Sequence, residues 1–492
     1  MDDRLREFGE APGYEFDRPR ASGWPGPGDR VWPHEQAQPW HPLPPEAGQP
    51  AGPGRPALLA RDTVAAMRSR NWLTSLAAPL LAAIAVGVAA VLVLGANNGG
   101  NSTAPSALSA GFPPARSAAA DFSGGRPVEV SAIAAVGATE VAVGSANRGC
   151  ALWVSADGGS TWRRAALAAS AVSLAGDGQL GGVAHGASGW LAVGGAGATA
   201  TASAPDGRLG PAVVGSADGL TWTPAGSQAT FDGPGRTVTA AVAASPGGYV
   251  IVGTASAGPR TVAAAWYAPG LSGWRRAADA RPGALDGAGN RAMNAVTAAG
   301  RGFVAVGQVG QRPAAWRSGA GRTWTLVPLA LPAGAASAAL DYVAANGREL
   351  AAVGTEVTAG QRRPFSAVST DAGASWTLAP LPYPAGAVSP ASGSAAAVSV
   401  TALTAAGGGF TATGTYGSAG QTDVVVWTLA GGTAWTGVAP QGTGLAGPGM
   451  QAITALTATG VTLTGVGFTA TSAATSASML TNPTIWQSPV RS

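Results

Sequence analysis

Two kinds of apolar pattern divide this chain. From Trp72 to Gly95 it reads WLTSLAAPLLAAIAVGVAAVLVLG, twenty-four residues without a charge. As a helix this run is about 36 Å long at 1.5 Å per residue, enough to cross a bilayer with some tilt. After residue 128 the apolar runs become short and end in glycine: VAVG to Gly144, LAVG to Gly194, VIVG to Gly253, VAVG to Gly307, AAVG to Gly354, TATG to Gly414 and TGVG to Gly467. The intervals are 50, 59, 54, 47, 60 and 53 residues. Each run follows another Ala/Val-rich stretch across a glycine-bearing turn, and all but the last lead to a strand, a tight turn and a tryptophan. Periods of this size with turn signals every 8–12 residues predict about four short strands per repeat.

The segments around the long apolar run complete the domain plan. Residues 1–71 open on a Pro-rich stretch with twelve prolines before residue 57, nine acidic side chains and six arginines mixed among them. Such a stretch cannot bury enough apolar surface to offset its ordering entropy, so it is expected to be a disordered tail. Arg61, Arg68 and Arg70 precede the 72–95 span and no charge follows until Arg116. The positive-inside rule then places the N-terminus in the cytoplasm and the C-terminal domain outside the cell membrane. Residues 96–125 have linker composition, and 126–492 hold the repeats.

The fourth part of the repeat carries a motif. Ser155, Asp157, Gly159, Thr161 and Trp162 fit Ser-x-Asp-x-Gly-x-Thr/Ser-Trp, as do Ser369, Asp371, Gly373, Ser375 and Trp376. Ser216, Asp218, Thr221 and Trp222 fit one residue short, and Ser318 to Trp324 keeps the frame without the Asp. An Asp in a hairpin loop can accept backbone N–H bonds while Gly supplies a φ > 0 position, so the motif reads as a turn clamp. It resembles the Asp-box, or BNR, repeat of sialidase-like β-propellers. The resemblance implies an all-β fold, a seven-bladed β-propeller of four-stranded antiparallel blades in which these turns are structural.

The repeat also accounts for the aromatic residues. Trp162, Trp222, Trp274, Trp324, Trp376 and Trp435 close the turns, and Trp153, Trp266, Trp316, Trp427 and Trp486 sit on the strand before; Trp190 stands where other repeats have Tyr249, Phe303 and Phe410. Residues in such register are expected to pack the core rather than stack on a ligand. The last strand of the chain, around Trp486, has no partner after it, and residues near Ala118 to Val130 are expected to supply one, because an open final blade leaves unpaired backbone groups.

Composition narrows the chemistry. The basic side chains are 29 arginines with no lysine, the net charge of +4 is spread without a basic run, and nothing points to nucleic acid. Cys150 is the one cysteine and His185 the one histidine beyond the linker, so a disulfide framework and a metal or other cofactor are not expected. The sialidase resemblance implies an arginine cluster, a Tyr–Glu pair and an acidic donor, but the Arg-Ile-Pro signature is missing and the repeats contain four glutamates, Glu129, Glu140, Glu349 and Glu356. Arg163-Arg164 and Arg275-Arg276 recur at one repeat position and are expected on solvated outer strands. The expected function is a membrane-tethered, non-catalytic binding or scaffolding module with a cell-envelope protein or anionic glycan as partner. Its working loops are expected in the inserts Gly195–Pro211, Phe231–Thr237, Arg281–Arg291 and Thr355–Pro364, and a sialidase-like glycoside hydrolase is the alternative.

Overall fold

The computed structural model describes residues 116–117, 122 and 128–490, apart from 175–177, 198–208, 232–234, 386–396, 419–420, 461 and 471–481. The expected tail and the 72–95 span lie outside the described residues; among those described, no helix is long and apolar enough to cross a membrane.

The described chain is almost entirely strand. After β1 (Arg116–Ser117), the first meander is β2 (Val128–Val136), β3 (Thr139–Ala146), β4 (Gly149–Ser155) and β5 (Arg163–Arg164). β6 (Ala166–Leu167) leads to β7 (Gly178–Gly186), β8 (Gly189–Gly197), β9 (Leu209–Ser216) and β10 (Thr221–Pro224), then to the one-turn α1 (Gln228–Phe231). Next come β11 (Thr237–Ser245), β12 (Gly248–Ala257), β13 (Arg260–Ala268) and β14 (Arg275–Arg276). β15 (Ala278–Asp279) precedes β16 (Arg291–Ala299), β17 (Gly302–Val309), β18 (Arg312–Ser318) and β19 (Thr323–Pro328). They are followed by β20 (Ala335–Asn346), β21 (Glu349–Thr358), β22 (Gln361–Ser369) and β23 (Thr377–Pro380). β24 (Ala397–Ala406), β25 (Gly409–Ser418), β26 (Gln421–Leu429) and β27 (Thr436–Val438) form another meander, and β28 (Met450–Ala458), β29 (Thr462–Ala470) and β30 (Asn482–Pro489) end the chain. The first strands of successive meanders stand side by side, and β28 stands against β2, so the sheets close into a β-propeller.

The core lies between neighbouring sheets. Val141, Val143 and Leu152 of the first sheet pack on Leu180, Trp190 and Trp222 of the second. Ala142, Ala151 and Trp153 on the opposite face pack on Val466 and Ile485 of the last. Each sheet buries both faces, which is why the VAVG-type runs are apolar at every position instead of alternating.

The glycine that ends each run has a steric cause. Every innermost strand carries a bulge, at Val130/Ala132, Leu180/Gly182, Thr239/Ala241, Met293/Ala295, Leu340/Tyr342, Val400/Ala402 and Ile453/Ala455. The bulge pushes a carbonyl oxygen of the innermost strand into the space opposite. A Cβ on Gly144, Gly194, Gly253, Gly307, Gly354, Gly414 or Gly467 would overlap that oxygen, which belongs to Glu129 in the first case and Ala292 in the fourth. None of these glycines has a positive φ; the requirement is for space.

Closure is effected by the N-terminal side of the domain, earlier than expected. Arg116 and Ser117 pair antiparallel with Ile485 and Thr484, giving β30 its outer partner. Val128–Val130 does not serve this role, because it is already needed to begin β2. Phe122 stands in the position of an inter-blade connection: its ring centroid is 5.1 Å from Trp153 and 5.3 Å from Trp162, and its carbonyl accepts Trp153 Nε1 at 3.1 Å. β1 and Phe122 fall within the stretch 96–125 read as linker, so that part of it belongs to the propeller.

Candidate functional site

Antiparallel meanders give the propeller two unlike ends. One end holds the hairpin turns between first and second strands and the Ser-x-Asp turns between third and fourth; we call it the turn end. The opposite end, here the insert end, holds the second-to-third hairpins and the passages between blades. All four inserts expected to carry function lie at this second end: β8 to β9, α1 to β11, β15 to β16, and β21 to β22. Residues 198–208 and 232–234 of the first two lie outside the described residues.

At the turn end the Ser-x-Asp turns are held by side-chain hydrogen bonds. Asp157 accepts Thr161 N at 2.8 Å, Thr161 Oγ1 at 2.6 Å and Ser155 Oγ at 2.7 Å, and Ser155 Oγ accepts Gly159 N at 2.8 Å. Asp371 repeats this with Ala374 N and Ser375 N at 2.9 Å, Ser375 Oγ at 2.6 Å and Ser369 Oγ at 2.8 Å. Asp218 accepts Leu220 N at 2.8 Å and Ser216 Oγ at 3.1 Å. Gly159 and Gly373 take φ of 83° and 81°, conformations that favour glycine. The closing Trp Nε1 donates back to the turn: Trp162 to Gly159 O, Trp222 to Gly219 O and Trp376 to Gly373 O. Hydrogen bonds from the Thr161 hydroxyl and amide hold the Asp157 carboxyl down at about 2, and those from Ser375 hold Asp371 lower still. Where the Asp is missing, Gly321 N still donates to Ser318 Oγ at 2.7 Å and Trp324 Nε1 to Gly321 O at 3.1 Å, so the serine and tryptophan make the turn and the Asp reinforces it.

The tryptophans are occupied by packing. All of those on the third strands are buried, and Trp153, Trp316 and Trp427 donate Nε1 to the connections that precede their blades, at Phe122 O, Ala284 O and Pro382 O. Arg164 and Arg276 lie on the outermost strands β5 and β14, as expected, with guanidinium groups 5.8 Å and 5.1 Å from the rings of Trp153 and Trp266. Another arginine pair, Arg362-Arg363, lies on β22. Cys150 is buried and its thiol is pushed up to about 12 by desolvation, which makes it inert. His185, on β7, stands beside Trp190, 4.7 Å between ring centroids. Among the described residues no three of His, Cys, Asp or Glu are grouped to hold a metal ion.

The candidate hydrolase residues are dispersed. Tyr249 is buried, donating to Gly189 O at 2.7 Å and accepting Ser188 N at 3.1 Å. Tyr267 lies under Arg322 at 5.6 Å, Tyr342 and Tyr416 pack between the blades of β20 and β24, and Tyr383 is exposed. Of the glutamates, Glu129 is on β2, Glu349 opens β21, Glu356 accepts Thr358 Oγ1 at 3.3 Å, and Glu140 is buried where β3 meets the last blade.

The bulges form a ring of seven positions, five of them polar, that sequence reasoning did not single out. The bulged residues are Ser131, Gly181, Ala240, Asn294, Asp341, Thr401 and Thr454, and several side chains reach the next blade. Asn294 Nδ2 donates to Leu340 O at 2.9 Å, Thr401 Oγ1 to Ile453 O, and Thr454 Oγ1 to Val130 O at 2.6 Å. Gln179 Nε2 donates to Ser131 Oγ at 2.7 Å. Each acceptor carbonyl belongs to the residue just before the neighbouring bulge, so the bulges link blade to blade. Burial pushes the Asp341 carboxyl up to about 7 against the hydrogen bond from Thr355 and the charge of Arg362, and burial also raises Glu129. Every bulge lies thirteen residues before its glycine, a spacing readable in the sequence.

Against known proteins, no family model and no curated protein sequence matches the chain. Among solved structures, YCF48 bound to D1 peptide is similar at 14% identity over 77% of this chain and 96% of that one, with a TM-score of 0.45. The phage phi92 endosialidase is similar at 9% identity over 75% and 68%, TM-score 0.42. A Trypanosoma rangeli sialidase in complex with sialic acid is similar at 13% over 76% and 59%, TM-score 0.41.

Proposed function

We propose that the chain is a single-pass membrane protein, anchored by residues 72–95, whose seven-bladed extracytoplasmic propeller is a non-catalytic binding or scaffolding module. On this reading its Asp-box turns, at Asp157, Asp218 and Asp371, are structural, and its insert end meets a cell-envelope partner, a protein or an anionic glycan. The observation that carries the reading is the separation of the two ends. The four inserts share one end, and the strands at both limits of the propeller leave from the other. β30, a third strand, runs toward the turn end, and β1, antiparallel to it, starts there. A tether entering at the turn end leaves the insert end free for a partner. The connection between β15 and β16 supports a preformed surface: Asp279 accepts Gly283 N at 2.9 Å and Leu285 N at 2.7 Å, while Asn290 accepts Thr261 N at 3.0 Å and Gly310 N at 2.7 Å.

The hydrolase reading draws on Asp341, whose carboxyl near 7 suits a proton donor. The full chain in detergent, incubated with fluorogenic sialosides and other glycosides, separates the two. No turnover is expected; turnover abolished by Asp341→Asn or by one Tyr or Glu substitution would replace the binding reading. Topology is checked with protease on spheroplasts, which should remove residues 128–492 and spare a tag at Met1.

A further inference from the structure

One junction of the propeller breaks the chemistry of the others. Four residues before the strand glycine stand Trp190, Tyr249, Phe303, Leu350, Phe410 and Leu463, and in the first blade Glu140. In three of these blades the residue sits in the same slot, against the turn glycine after the third strand. Gly219 lies against Trp190 of its own blade and Val141 of the preceding one, Gly321 against Phe303 and Val250, and Gly373 against Leu350 and Val304. In the first blade, Gly159 lies against Glu140 of its own blade and Gln487 of the last. The aromatic or aliphatic residue of the other blades has been replaced by a carboxylate at the joint between the last blade and the first.

The carboxylate is fully buried and half satisfied. Glu140 Oε1 accepts Thr464 Oγ1 of β29 at 3.0 Å, and Oε2 is buried with no hydrogen-bond partner among the described residues. Among the described residues, the neighbours that face it are Thr464 on β29, Gln487 on β30, Ser155 opposite it on β4 and the turn after β4, and the charged one is Asp157, a like charge. Gln487 is itself engaged, its Nε2 donating to Gly158 O. An ionised Glu140 therefore holds a buried charge with an unmet oxygen at the seam, whereas a protonated one is neutral and converts Oε2 to a hydroxyl.

We propose that the junction between the last and first blades is a proton-gated seam, tightened when Glu140 binds a proton and loosened when it loses one. This does not depend on what the insert end binds. Desolvation raises the Glu140 carboxyl, the Thr464 bond opposes this and Asp157 adds to it. The folded ring thus holds the proton more tightly than the unfolded chain, and stability from this group grows as pH falls through the raised value toward the ordinary 4.5. Asp157 and Asp371, held low, act with the opposite sign and only in stronger acid.

The test is thermal unfolding of the full chain in detergent, followed by tryptophan fluorescence between pH 5 and pH 8, for wild type, Glu140→Gln and Glu140→Leu. Glu129 and Asp341 tilt every curve alike, so the difference between wild type and variant isolates Glu140. Both variants should melt several degrees above wild type at pH 8, with the gap narrowing as the pH falls. A gap that does not change with pH, or variants that fold and melt lower than wild type throughout, overturns the proposal. If neither variant folds, hydrogen exchange of the wild type decides. After correction for intrinsic rates, 128–136 and 482–489 should lose protection relative to 248–268 as pH rises, and a constant ratio overturns the proposal.

Discussion

The turn end and the insert end of this propeller differ in how far their connections repeat. At the turn end, short hairpins repeat the same bonds: a serine hydroxyl under a glycine amide, an aspartate over the next hydroxyl residue, a tryptophan N–H returned to the glycine carbonyl. At the insert end the connections differ in length and sequence from blade to blade, and bonds such as those from Gly283 and Leu285 to Asp279 belong to a single connection. Repetition marks what every blade needs to fold, and departure from it marks where one blade can do what the others do not.

The largest expected effects break the repeated side. Trp316→Ala removes a fully buried indole and its bond to Ala284 O, and should cost about 4 kcal/mol by chemical denaturation. Gly307→Ala forces a Cβ onto the Ala292 carbonyl and should cost about 3 kcal/mol, the innermost strand having to shift. Asp371→Ala loses two backbone acceptor bonds at an exposed turn, worth about 1 kcal/mol. Because the Asp371 carboxyl is held low, the wild type should also lose stability on acidification below about pH 4, by more than the variant does. The smallest change sharpens the comparison: Ala320 occupies in the fourth blade the place of Asp218, and Ala320→Asp should restore the clamp and gain about 0.5 kcal/mol. Arg281→Ala, at the insert end, should leave the melting curve where it is.

Much of this was legible in the chain because it repeats. The strand glycines, the two tryptophan series and the Ser-x-Asp turns each recur at a matching repeat position, and the structure uses them as repeated parts. The reason for the glycine was not legible, because it lies in a bulge on another strand whose carbonyl approaches only after pairing. Closure by Arg116 and Ser117 was misplaced onto later residues, since two residues of strand carry no pattern of their own. Glu140 and Asp341 occupy constant offsets from the strand glycine, so aligning the repeats by that glycine would have exposed both. Glu140 stood out only as one of four glutamates and Asp341 not at all, because neither belongs to a recognised motif; only burial makes a carboxylate at such a position unusual.

The division between the two ends is tested most directly by site-specific photo-crosslinking on intact cells. The full chain would carry the crosslinking residue in place of Arg312 at the insert end or of Asp218 at the turn end, and adducts would be identified by mass spectrometry. The account predicts a discrete envelope adduct from position 312 and none from position 218; the same adduct from position 218, with none from 312, would contradict it.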